Sequence, residues 1–230
     1  MALPAALGLL AAMTGEAYAL CDAANPCVTD PLDLGTLGGT YSYAYGVSAD
    51  GAVVVGNSNL PSDSYYHAFR WTSAGMDDLG TLGGNNSAAL GVNADGTVVV
   101  GYSYLAGDSY FHAFRWTSAD DMVDLGTLGG SDSYAQGVNA DGAVVVGYSN
   151  ITGDSEYHAF RWEGGVMTDL LTVGGTYSIA YGVSADGSVV VGNSNTTGNA
   201  ATHAFSLDRS ERHEGPQHAA HRCRREHDRH

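Results

Sequence analysis

Residues 94–130 read "ADGTVVVGYSYLAGDSYFHAFRWTSADDMVDLGTLGG", and the chain spells this phrase, with small changes, three times in full and a fourth time as far as "HAF". "ADG" places its Asp at 50, 95, 141 and 186, and "HAF" places its His at 67, 112, 158 and 203. "DLGTLGG" starts at 33, 78 and 124, with "DLLTVGG" at 169. Each series steps by 45, 46 and 45 residues, so four tandem copies of one supersecondary unit are expected.

Within each unit the signals are those of β-structure. Ahead of the ADG turn, Ser42, Ala44 and Gly46 alternate along one face, as do Ser87, Ala89 and Gly91, then Ser133, Ala135 and Gly137, then Ser178, Ala180 and Gly182. A period of two with one face kept small predicts a strand closely approached by a neighbouring sheet. In "SADG" and "NADG" the Asp bonds back to its own backbone and the Gly takes a positive φ, which makes a hairpin turn. The "VVVG" strand that follows has β-branched residues pointing both ways, so both its faces should be buried. "HAFRW" then puts His112, Phe114 and Trp116 on one face and Ala113 and Arg115 on the other, and "MVDLGTL" reads as a fourth strand closed by Gly129 and Gly130.

Four strands in roughly 45 residues match one propeller blade. The expected fold is therefore all-β, a β-propeller of four blades or a fragment of a larger ring, with a β-solenoid or open β-array as the alternative. Closure has a ready route if the "DLGTL" strand at 33 completes the last blade and removes its bare edge.

Repeats reading "DLGTLGG … GVNADGTVVVGYS … HAFRWT" resemble the HAF-repeat family of extracellular bacterial proteins. The resemblance spans residues 33–205 and implies a secreted or surface-exposed tandem-repeat protein, sometimes joined to an outer-membrane anchoring module. It implies no catalytic residues.

Composition narrows the partners. Lys is absent and the formal net charge is −16, which disfavours nucleic acid and anionic membrane surfaces. A glycan or protein ligand at the cell surface fits the remaining classes. Residues 2–13 form an apolar run and Ala17-Tyr18-Ala19 gives the small-x-small pattern of a signal-peptidase site, so residues 1–19 read as a signal peptide without a basic n-region. The run is too short to span a bilayer, and an ordinary apolar first strand is the plainer alternative. In the leader, residues 20–32, Cys21 and Cys27 suit one short disulfide loop.

The four HAF histidines are the obvious catalytic candidates, but a residue repeated once per unit at one strand position, as His67, His112, His158 and His203 are, reads better as a structural ladder. Arg70, Arg115 and Arg161 are expected to pair with carboxylates of their own or the next unit. The loops before HAF carry Asp63, Asp108 and Asp154 among hydroxyls and aromatics. Such hard oxygens invite Ca²⁺, yet one Asp per loop is far short of the six to eight ligands required, so a solvated loop and no cofactor is the expectation. Tyr65, Tyr66, Tyr110, Phe111 and Tyr157 serve either as a stacking platform for a glycan or partner or as loop anchors. No G-x-S-x-G, P-loop, H-E-x-x-H or dinucleotide fingerprint appears. A non-enzymatic interaction or structural role follows, with a carbohydrate-active propeller enzyme as the alternative.

The fourth copy breaks after "HAF". Residues 206–230 hold six Arg, five acids and five of the nine His, whereas residues 1–205 hold three Arg and twenty acids. Ser206 to Gln217 can be encoded so that reading one base later yields "RWTGANGMKDL", which restores the Trp and a "DL" strand start at the right distance. The tail therefore reads as frameshifted and disordered. A basic metal-binding or partner-binding tail is the alternative.

Export is tested directly. N-terminal sequencing of the protein from its native host should begin at or near Leu20, and intact Met1 recovered from the cytosol would refute it.

Overall fold

A computed structural model describes residues 31–209; the segment expected to be a signal peptide, the expected Cys21–Cys27 loop and the tail from residue 210 lie outside them. Fifteen strands follow in chain order, all in one compact unit that begins at Leu34. The first four are β1 (Ser42–Val47), β2 (Val54–Asn59), β3 (Tyr66–Thr72) and β4 (Gly75–Asp78). The second repeat gives β5 (Gly83–Val92), β6 (Val99–Leu105), β7 (Phe111–Thr117) and β8 (Asp121–Asp124). The third gives β9 (Gly129–Val138), β10 (Val144–Ile151), β11 (Tyr157–Glu163) and β12 (Val166–Asp169), and the fourth gives β13 (Gly174–Val183), β14 (Val189–Thr196) and β15 (Thr202–Asp208).

Each repeat is an antiparallel meander, paired in sequence order, and the fourth has three strands among the described residues. A single parallel pair, Tyr157 with Tyr177, links the third and fourth sheets. The fourth strand is shorter than the sequence suggested. Gly126 takes φ +74° and ends the extended run, so Leu125–Leu128 crosses to the next unit and Gly129 opens β9 instead of closing β8. The last strand is longer: β15 runs to Asp208, so Ser206, Leu207 and Asp208, placed in the disordered tail by composition, belong to the sheet.

Sheets stack face on face. Phe114 and Trp116 of the second unit pack with Val53, Val55, Ala68 and Leu79 of the first. Phe160 and Trp162 repeat this against Val98, Val100, Ala113 and Leu125. Val99, Val100, Val145 and Val146 are wholly buried because the middle strand is covered on both sides, as the "VVVG" pattern predicted. Fully burying each such side chain is worth roughly 1.5–3 kcal/mol relative to leaving it exposed. The small face of the first strand has the same origin: Ser87, Ser133, Ala89 and Ala135 lie buried at the junctions.

The array is open among the described residues. Residues 31–40 form no strand, and the Leu37 amide bonds Ser58 Oγ at 2.9 Å, so the "DLGTL" segment lies against its own unit. At the first unit Val47 is 59% exposed, although its counterparts Val92, Val138 and Val183 pack against core clusters. At the last unit Val191 is 47% exposed where Val55, Val100 and Val146 are at 0%.

One glycine isolates the energetics of a junction. Gly96 in the second ADG turn has φ +74°, and a Cβ there would lie 2.3 Å from Val53 of the first unit. Gly51 has the same φ and nothing within 4 Å. Gly51→Ala should lose only the left-handed backbone penalty of about 1–2 kcal/mol, whereas Gly96→Ala adds an overpacking cost of about 1–3 kcal/mol. Urea denaturation of both variants checks this, and equal losses would mean that the turn does not report on junction packing.

Candidate functional site

In the first three repeats the His and Asp meet within one sheet. Because β3 and β4 are antiparallel, Asp78 lies close to the start of the HAF strand, and His67 Nδ1 bonds its carboxylate at 2.9 Å. His112 bonds Asp124 at 2.8 Å and His158 bonds Asp169 at 2.8 Å. The same carboxylates cap the crossover, since Asp78 accepts the Gly80 amide and Asp124 the Gly126 amide. His203 is exposed and makes no side-chain hydrogen bond among the described residues.

The arginines depart from expectation. Arg70 Nε donates to the Gly96 carbonyl at 3.0 Å and Arg115 Nε to the Gly142 carbonyl at 3.1 Å, while Arg161 reaches Gly187 O through Nη1 at 2.6 Å. Each therefore holds the ADG turn of the next unit by its backbone rather than by a carboxylate. The ADG carboxylates are already engaged within their own turns. Asp95 takes the Thr97 amide and hydroxyl, and Asp186, bonded by Ser184 and Ser188, is pulled down to about 2. Arg161 alone also touches an acid, Glu163, at 3.3 Å.

The three loop aspartates do not converge. Asp63, Asp108 and Asp154 share φ values of 54° to 56°, and each accepts the backbone amide of the residue after the "GG" pair: Thr40 at 2.6 Å, Asn85 at 2.7 Å and Ser131 at 2.7 Å. Asn199 does the same for Thr176 at 2.9 Å. The Thr40 hydroxyl and amide hold the Asp63 carboxyl below its ordinary value. These side chains clamp the HAF loop to the head of the first strand, and among the described residues no three His, Cys, Asp or Glu form a metal-holding group.

The aromatics do come together, in a row across the units. Tyr66 and Tyr102 hydroxyls lie 3.4 Å apart. Tyr102 packs edge-on against Phe111 and Tyr134, Tyr134 stacks on Tyr148 at 4.8 Å, and Tyr148 leads through Tyr157 to Tyr177. Tyr104 joins through Phe111. Burial raises the hydroxyl pKa of Tyr102 and Tyr134 and pushes Tyr148 up to about 12, so these groups remain protonated donors. Tyr65 and Tyr110 are about half exposed, one residue before row members Tyr66 and Phe111. Sequence reasoning named the loop aromatics and missed Tyr102, Tyr134, Tyr148 and Tyr177. A clue existed, because Tyr102 and Tyr148 share one repeat position opposite small partners, Ala113 and Ala159.

No protein-family model matches the chain, and no curated protein matches it. Solved structures do. TolB from Acinetobacter baumannii matches 74% of this chain and 41% of its own, at 15% identity and a TM-score of 0.55. A protein assigned as TolB from Agrobacterium tumefaciens matches 74% of this chain and 59% of its own, at 14% identity and a TM-score of 0.53. The chain thus spans about half the length of these neighbours. At this identity the likeness concerns the fold, and it supports an all-β arrangement of the propeller type. Among the described residues no helix is long and apolar enough to cross a membrane.

The His–Asp pair has a pH signature. The hydrogen bond to Asp124 raises His112 above 6.5 against the opposing effect of burial. Burial works to raise Asp124, but the bonds from His112 and Gly126 outweigh it and leave the carboxyl below 3.8. Stability from His112 is complete below its unfolded pKa and fades as pH climbs through the raised folded value; that from Asp124 fades as pH falls through its lowered one. The melting-temperature gap between the parent chain and His112→Gln should be wider at about pH 5.5 than at about pH 9. A gap that is flat with pH would show that the pair does not link protonation to folding.

Proposed function

We propose that the protein is an exported or surface-exposed repeat module with a non-enzymatic interaction role, and that the aromatic row is its contact surface. Its support is the distribution of chemistry along the array. His67, His112 and His158 are each used within their own sheet, each Arg at the next turn and each loop Asp on a backbone amide, so the polar groups recur from unit to unit instead of converging on one pocket. The row crosses the sheets without interruption from Tyr66 to Tyr177 and carries exposed aromatics beside it. Flat rings with protonated hydroxyls suit a sugar face or an extended protein surface. The resemblance to HAF repeats adds the extracellular setting.

The test uses the full chain on a panel of polysaccharides and on whole cells of the host. Retention should fall at least about tenfold in the Tyr65→Ala/Tyr110→Ala double variant, in line with the loss of aromatic hot spots, with the melting temperature unchanged. Undiminished retention would remove the aromatic row as the contact surface. Shortening of any bound polysaccharide would replace the binding reading with the enzymatic one.

A further inference from the structure

We propose that the outer edge of β15 is a docking groove for an extended strand of Met-x-Asp-Leu pattern presented by a different protein. In the first three units the outer edge of the HAF strand is covered by β4, β8 or β12, and all three covering strands carry Met-x-Asp: Met76 with Asp78, Met122 with Asp124, Met167 with Asp169. Among the described residues β15 is the outermost strand of its sheet.

Two cavities flank it, of about 310 Å³ between Arg161, Leu170, Val190 and Leu207, and about 190 Å³ between Val173, Ser194 and Phe205. At the two preceding junctions the matching space is filled. Trp116 and Met122 pack onto the first unit's core, and Trp162 and Met167 onto the second's. In the fourth unit Leu207 stands where Trp is expected, and the third unit's cluster has neither Trp nor Met packed against it. Arg161 Nε, buried beside the larger cavity, has no hydrogen-bond partner, although Arg70 and Arg115 use theirs.

The polar requirements of the groove are equally defined. His203 occupies the position from which His67, His112 and His158 each bond the Asp of the covering strand. The Leu79 amide donates to Ala68 O at 2.9 Å, so the equivalent Ala204, and Ser206 two residues on, turn their backbone groups outward. Nine and ten residues after His203, where Met is found in the other units, the chain's own sequence has Arg212 and His213. Cationic or polar side chains make poor filling for an apolar cavity, so the matching occupant comes from elsewhere and adds by β-augmentation. The groove rests on the fold alone and is independent of the aromatic row.

The probe is a fluorescein-labelled peptide of residues 118–126, "SADDMVDLG", titrated with the full chain and followed by anisotropy. Saturable binding at one peptide per chain is expected. In the peptide, Met122→Asp should weaken binding at least about tenfold and Asp124→Asn a few-fold, since these remove the cavity-filling side chain and the charged partner of His203. In the protein, Ser206→Pro, which deletes an outward amide while sparing the β14 pairing, should abolish binding. If that variant fails to fold, Leu207→Glu, which charges the cavity wall, gives the same reading. The Tyr65→Ala/Tyr110→Ala variant should bind the peptide as the parent does. Absence of saturable binding, or equal binding of the Met122→Asp peptide, overturns the proposal. So does light scattering that shows a dimer which the peptide dissociates, because the groove then belongs to a second copy.

Discussion

The structure depends on one buried hydroxyl at each junction. At Asp78 the fourth strand peels away from the HAF strand, and the Ala68 amide is left fully buried with no strand beside it. Ser87, from the next unit, accepts that amide at 2.8 Å and donates its own proton to the Gly80 carbonyl of the crossover. Ser133 repeats the relay between Ala113 and Gly126, and Ser178 repeats it between Ala159 and Leu171. An unsatisfied buried amide costs about 1–3 kcal/mol, so no sheet here is complete without its successor. The small face of the first strand follows, because a larger residue than Ser or Ala would hold the two sheets apart.

That dependence accounts for where the polar residues went. A junction needs the turn of the next unit fixed as well as its first strand, and the arginines supply this by gripping the ADG glycine carbonyls. The Ala49, Ala94 and Ala140 amides add a second tie, each to the carbonyl of the equivalent alanine one unit on. His and Asp stabilise the exit of the fourth strand within a unit. With these groups committed to the scaffold, the positions that differ between units are ones outside those ties. Asn57, Tyr102, Tyr148 and Asn193 share one repeat position, and it is from such positions that the aromatic row is assembled.

Much of this was legible in the chain. The 45-residue step, the ADG turn, the doubly buried valines and the small first-strand face all follow from periodicity and turn chemistry, which are local. What escaped was lateral. Abundant acids suggested carboxylate partners for Arg70 and Arg115, but the acids lie in turns that bind their own backbones, and the nearest acceptor across the junction is a carbonyl. Asp63, Asp108 and Asp154 read as solvated loop residues because sequence shows their oxygens and not the backbone amides they accept. The fourth strand reads as longer than it is because Leu125 and Leu128 are apolar, though Leu125 is buried and Leu128 half-buried at the crossover, outside the four strands.

The last unit shows that burial in an array belongs to the neighbour as much as to the residue. Val146 and Val191 occupy the same repeat position, yet one is inaccessible and the other is 47% exposed, since only the first has a sheet laid over it. Ala204 likewise is exposed where Ala159 is at 0%. In a quasi-one-dimensional stack each unit's stability is its own plus that of its interfaces, so a terminal unit that has Leu207 and Ser206 in place of its Trp and Arg, and no covering strand among the described residues, loses on every count. The break in the repeat after Phe205 and the cavities beside Leu207 are thus two views of one event. The residues that the repeat pattern calls for after Phe205 are the ones whose space stays open among the described residues.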